Sequence, residues 1–260
     1  MPILHYLALF LAAFIGGSIN AIAGGGTVIS FPTLIWTGVP TAMASATNTL
    51  ALWPASASAS VALRDDVRTE RRFLLLMLIP SLLGGLAGAW LLTVTPESLL
   101  RVLAPILVLF ATLIFAGRAY LVHLGRKQAV GPVADVPITS LAYIGGGIFQ
   151  FILALYGGYF GAGIGILMLS SFSIMGMSDL HRMNAIKNVC AAAINGIAII
   201  FFAFKGTIIW PLGLLMAVGA IIGGYSTASV AKQINPRALR FFIIFAGILA
   251  SAYLFWRAFQ

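Results

Sequence analysis

Charge is scarce in this sequence. Only 8% of its 260 residues are Asp, Glu, Lys or Arg, against about 25% in a soluble globular domain. The apolar share is 61%, more than the core of a soluble domain of this length can shelter from water. A bilayer accepts such side chains on the outside of the fold. Acidic residues are scarcer still. Asp65, Asp66, Glu70, Glu97, Asp135 and Asp179 are the six carboxylates, and all fall in loops or at span ends. No carboxylate is left inside a span to bind a cation or relay protons, which argues against cation transport. The histidines His5, His123 and His181 are scattered, so no metal site is readable. One cysteine, Cys190, excludes an intrachain disulfide. There is no Walker loop, no His-Glu-x-x-His and no Gly-x-Ser-x-Gly. The expectation is a protein that is not an enzyme, with no catalytic residue, cofactor or metal. The apolar runs are continuous rather than alternating over short strands, which argues against a β-barrel.

What is present is a series of long apolar runs punctuated by glycine, the pattern of an all-α polytopic integral membrane protein. Residues 3–36 exceed one crossing of about 20 residues and contain Gly24-Gly25-Gly26 and Pro32. They predict a broken helical hairpin. Ala21-Ile22-Ala23 imitates a signal-peptidase site, but no basic stretch precedes it, so cleavage is not expected. Spans are predicted at 42–63, 73–92 and 99–120, then a polar cytoplasmic linker at 121–138. A second broken hairpin follows at 140–176, with spans at 184–204, 209–231 and 240–257.

The chain resembles itself. At one offset of 140 positions Gly17 meets Gly157, Gly25 meets Gly165, Ser30 meets Ser170, Met43 meets Met183, Asn48 meets Asn188 and Pro96 meets Pro236. This points to two repeats, residues 1–120 and 139–260, joined by the linker. Eleven Lys/Arg fall in loops assigned to the cytoplasm: Arg64, Arg68, Arg71, Arg72, Arg118, Arg126, Lys127, Arg182, Lys232, Arg237 and Arg240. Arg101, Lys205 and Arg257 fall opposite. The asymmetry fits the positive-inside rule, and it explains the net charge of +9 without nucleic acid. The loop after the third element is basic in the first copy and nearly uncharged in the second, and the loop after the fourth reverses this. The two repeats are therefore expected to be inverted, with broken helices near the midplane, as recurs in secondary transporters. Either eight full spans with two re-entrant hairpins or ten spans closes the pattern.

Unpaired backbone is costly in hydrocarbon unless it lines a cavity or is otherwise buried. The breaks at Gly24, Gly25 and Gly26 and at Gly161, Gly163 and Gly165 are therefore candidates for a backbone-lined anion site, since helix N-termini favour anions. Small residues spaced by four also allow close helix packing. Thr47 and Asn48, with Ser45 and Thr49, open the span after the first hairpin. Lys187 and Asn188 open its counterpart. Lys187 is read as one turn inside a span, either snorkelling to the interface or supplying a counter-charge. Asn20 and Gln150 are further buried polar candidates.

The glycine hairpin Gly16-Gly17…Gly24-Gly25-Gly26…Pro32 with its Thr47-Asn48 span, and the repeat Gly157-Gly158-Tyr159-Phe160-Gly161-Ala162-Gly163-Ile164-Gly165, resemble the TauE/SafE sulfite exporter family over essentially the whole chain. The resemblance implies a transporter of sulfite, sulfonates or related anions. The sequence departs from the family pattern at Gly163-Ile164-Gly165, where a denser glycine run is common, and at Lys187, where a small hydroxyl residue is common. The expected function is export of a small sulfur-containing anion by alternating access. The expected site comprises Gly24, Gly25, Gly26, Thr47, Asn48, Gly161, Gly163, Gly165, Lys187 and Asn188. Expected partners are the small anionic substrate and the lipid bilayer of the cell inner membrane, with a homodimer left open. Two other readings stand beside it: a transporter of an organic acid or metal ion, and a non-transporting membrane assembly factor.

Overall fold

The structure is a computed structural model and describes residues 2–22, 25–62, 70–128, 140–175, 177, 179–230 and 236–259. These residues form helices and no strand: α1 (Ile3–Ile22), α2 (Thr27–Trp36), α3 (Thr41–Ala62), α4 (Arg71–Val94), α5 (Glu97–Gln128), α6 (Ser140–Tyr159), α7 (Ile164–Ile174), α8 (Leu180–Phe204), α9 (Trp210–Val230) and α10 (Pro236–Ala258). Ile3–Asn20, Arg71–Val94, Glu97–Gly117, His181–Phe204 and Phe241–Ala258 are each long and apolar enough to cross a bilayer. The all-helical membrane architecture read from composition is the one observed. Both predicted hairpins are interrupted. α2 has 10 residues and α7 has 11, about 15 to 17 Å of helix each, half of a hydrocarbon core about 30 Å thick.

One boundary needs correction. The linker expected over 121–138 is helical in its first part, because α5 continues through Gln128. The strong breakers, Gly131-Pro132, come later. Residues 129–138 lie outside the described residues, as do Gly24, Arg64, Asp65, Asp66, Arg68 and Lys232.

The fold is apolar outside and carries its polar side chains inside. Leu83, Trp90, Phe204, Phe241 and Phe245 are all exposed, whereas Ser30, Thr47, Asn48, Ser81, Gln150 and Ser251 are buried. Because lipid tails are as apolar as leucine, close packing and interhelical hydrogen bonds must hold the helices together. Glycine faces provide the packing. Along α1 and α9 an added Cβ at Gly17 would lie 2.1 Å from the carbonyl oxygen of Ala220, and one at Gly223 would lie 2.0 Å from that of Phe14. Along α4 and α6 one at Gly88 would lie 2.0 Å from the Leu155 carbonyl oxygen, and one at Gly158 would lie 2.1 Å from that of Gly85. Both pairs run parallel. Between α6 and α4, Gln150 donates from Nε2 to Ser81 Oγ at 2.8 Å, which makes Gln150 a helix–helix tie.

α5 with α10 and α3 with α8 run antiparallel. Ser251 Oγ of α10 donates to the Pro105 carbonyl of α5 at 2.8 Å, and Gly247 lies against Thr112. Ala44, Ala46 and Ala51 of α3 share one core cluster with Ala198 and Phe202 near the end of α8. Exchanging α1–α5 for α6–α10 maps the pattern onto itself: α1 on α9 becomes α6 on α4, while α3 with α8 and α5 with α10 map onto themselves. Packing thus crosses the boundary drawn between residues 1–120 and 139–260, since the fourth helix of each half lies against the first helix of the other.

Candidate functional site at the two helix breaks

In the first hairpin Gly25 and Gly26 are both buried. An added Cβ at Gly26 would lie 2.2 Å from the Gly16 carbonyl oxygen, so only glycine lets α1 and α2 approach this closely. In the second hairpin Gly161 and Gly163 both have φ of +76°, a left-handed conformation that glycine adopts without strain. The Tyr156 hydroxyl donates to the Ala162 carbonyl at 2.6 Å and holds this reversal.

The breaks converge. A Cβ at Gly25 would meet the Phe115 ring, and one at Gly163 would meet Ala111 and Ile114. Ala111 and Phe115 are four residues apart on α5, one turn and about 6 Å along the helix. Phe31 of α2 packs edge-on against Phe160 of the second break, with ring centroids 5.1 Å apart. Ser45 Oγ of α3 donates to the Tyr159 carbonyl at 3.3 Å. The N-termini of α2 and α7 therefore start from neighbouring places. Their N-caps, Gly26 and Gly163, carry no side-chain cap, in contrast to α8, where Asp179 accepts from the N–H groups of His181 and Arg182. An uncapped helix N-terminus presents amide donors and partial positive charge.

The predicted polar residues divide between these termini. Asn48 of α3 is almost fully buried and bonds to α2: Ser30 Oγ donates to its Oδ1 at 2.5 Å, and its Nδ2 donates to Thr27 Oγ1 at 3.4 Å. Thr47, next to it, faces away. Its Oγ1 accepts from the Ile209 N–H at 3.1 Å, at the start of α9. Lys187 of α8 lies against α7. A Cβ at Gly165 would lie 3.3 Å from Lys187 Cδ and 3.9 Å from its Nζ, which puts the ammonium beside the first turn of α7. Lys187 is also deeper than expected. α8 begins at Leu180, so Lys187 lies about two turns in, not one. Asn188 follows it, half-buried. Lys187 and Asn188 lie about ten residues, or about 15 Å, before the part of α8 that shares a core with the start of α3. The structure therefore joins Gly25, Gly26 and Asn48 in one group and Gly165 and Lys187 in another. Gly161 and Gly163 form the turn between α6 and α7. Thr47 stands apart from both groups.

Thr27, Ser30 and Tyr156 touch the breaks but were not candidates from sequence. Ser30 showed only as a repeat match, and no local signal pairs residue 30 with residue 48. Among the described residues no group of three or more His, Cys, Asp or Glu could hold a metal ion.

Comparison with known proteins places the chain in a family. The family model for sulfite exporter TauE/SafE matches residues 9–254. A probable membrane transporter protein, ORF9 of Sinorhizobium sp, is 31% identical over 240 residues, covering 89% of this chain and 87% of the relative. A probable membrane transporter protein of Haemophilus influenzae is 28% identical, covering 94% and 92%. The probable membrane transporter protein YfcA of Escherichia coli K12 is 27% identical, covering 95% and 88%. No solved structure shows a significant match. The chain is a multi-pass integral membrane protein and belongs to the sulfite exporter TauE/SafE family of membrane transporters.

Proposed function

We propose that this transporter exports a small sulfur-containing anion, such as sulfite or a short sulfonate, and binds it between the two helix breaks. The observation that carries the reading is the Lys187 ammonium beside the first turn of α7, whose N-cap carries no acceptor side chain. An anion at that place would meet both the ammonium and the positive end of the helix. In this reading the amides at Gly25 and Gly26 and at Gly163 and Gly165 face the anion, Lys187 supplies charge, and Asn48 and Asn188 supply polar side chains; Thr47 and the Gly161 amide are engaged elsewhere. Two inverted repeats move against each other to alternate access. Because α4 and α9 pack on the opposite half, the rocking bodies are α1–α3 with α9 and α6–α8 with α4.

The test is thermal stabilisation of the purified chain by sulfite, sulfate, thiosulfate and short sulfonates, with chloride as the control at equal ionic strength. A ligand that binds only the folded state at a hundred times its Kd adds about 2.7 kcal/mol. At least one sulfur anion is expected to raise the melting temperature above the chloride value. If none does, the reading is wrong.

A further inference from the structure

A polar cavity of about 290 Å³ lies at the end of the molecule where α2 meets α3. Its walls include Gly38 and Thr41 of the α2–α3 junction, Glu97 and Arg101 of α5, and Arg257 of α10. Only Arg101, Lys205 and Arg257 are assigned to that side of the membrane, and two of the three line this one cavity. Their roles differ. Glu97 Oε1 accepts from the Thr41 N–H at 2.8 Å and from Thr41 Oγ1 at 2.7 Å. It also faces Arg101 Nε at 3.7 Å, so the charges of Glu97 and Arg101 offset one another. Arg257 is half-buried and donates to the Ile35 carbonyl at the end of α2. No carboxylate among the described residues pairs with Arg257. The cavity therefore holds one uncompensated positive charge on a guanidinium, whose planar donors match an oxyanion. α2 is 10 residues long, so this cavity lies about 15 Å along α2 from the first break.

We infer that the cavity is a second binding station for a small oxyanion, at the mouth opposite the basic loops, distinct from the site at the breaks. Arg257 is its anchor, Arg101 its outer donor, and Glu97 sets its strength by holding Arg101 while repelling the anion. The inference rests on the reading of the chain as an anion carrier and adds a place where the anion is held as it enters or leaves.

The test is equilibrium binding of radiolabelled sulfite to the purified full chain, with melting temperatures recorded for every variant. Wild type should bind in two components. Arg257→Gln should weaken one of them by about tenfold or more and leave the other. Arg257→Lys, which keeps the charge, should retain part of it. Glu97→Gln should tighten the same component about two- to fivefold. Asn48→Ala should affect only the other component. Two components that survive Arg257→Gln unchanged overturn the mouth station. A single component abolished by Asn48→Ala and indifferent to Arg257→Gln overturns it too, and leaves the site at the breaks standing. A component sensitive to Arg257→Gln with none sensitive to Asn48→Ala supports the station and overturns the other site. No saturable binding to wild type overturns both.

Discussion

Gly88→Ala is expected to lower the melting temperature of the purified protein sharply, and Gly223→Ala to do the same. The added Cβ of Gly88→Ala would fall 2.0 Å from the Leu155 carbonyl oxygen and 2.8 Å from the Tyr159 amide nitrogen. At Gly223 it would fall 2.0 Å from the Phe14 carbonyl oxygen. Both obstacles are backbone, so no side chain can rotate away and the helices must separate. Overpacking of this kind costs about 1–3 kcal/mol, occasionally more. Alanine's better helix propensity returns about 1 kcal/mol at most, too little to cancel a backbone clash. Gly147→Ala on α6 is the control, because nothing lies within 4 Å of its added Cβ. It is expected to melt at or above the wild-type temperature. Equal melting temperatures for Gly88→Ala and Gly147→Ala would contradict the close α4–α6 contact. The same experiment bears on motion, since α4 and α9 tie the two halves together.

Lys187→Gln is expected to weaken sulfite binding sharply. With sulfite present, loss of a hydrogen bond from a charged donor costs about 1.5–3 kcal/mol, which is about 10- to 100-fold in affinity. The variant should therefore lose the upward shift in melting temperature that sulfite gives over chloride. Lys187→Arg should keep much of that shift. A purely structural role for Lys187 predicts an unchanged response to sulfite.

The sequence made the interrupted hairpins legible because lipid is strict about backbone. Glycine clusters inside an apolar run too long for one crossing leave few other structures, and helix breaks are found at Gly25-Gly26 and at Gly161–Gly163. Faces of small residues spaced by four were also legible, at Gly17, Ala21 and Gly25 and at Gly157, Gly161 and Gly165. Their surroundings were not. Gly17 lies against Ala220 of α9, but Gly25 lies against Phe115, Gly157 against Ile164 and Ile194, and Gly165 against Lys187. The close α4–α6 contact instead uses Gly84, Gly85, Gly88 and Gly158, and nothing along the chain says that it lies across the repeat boundary. The depth of Lys187 was misjudged because His181 and Arg182 read as loop residues. Asp179 caps them into a helix by accepting both amides, and Arg182 is then held by Glu70 at 2.9 Å. Asn48 was legible as a buried polar residue, but its bonds to Ser30 and Thr27 depend on α2 turning back against α3. Thr47 and Asn48 looked like one pair from sequence, yet successive helix positions point about 100° apart, and the two serve different neighbours.

The measurement that bears most directly on the anion-carrier reading is radiolabelled sulfite flux in proteoliposomes containing the wild-type chain and its Asn48→Ala, Asn188→Ala and Lys187→Ala variants. Saturable wild-type flux is expected, reduced about tenfold or more by Asn48→Ala and by Lys187→Ala. Absent wild-type flux, or flux that all three variants leave unchanged, would contradict an anion held between the two helix breaks.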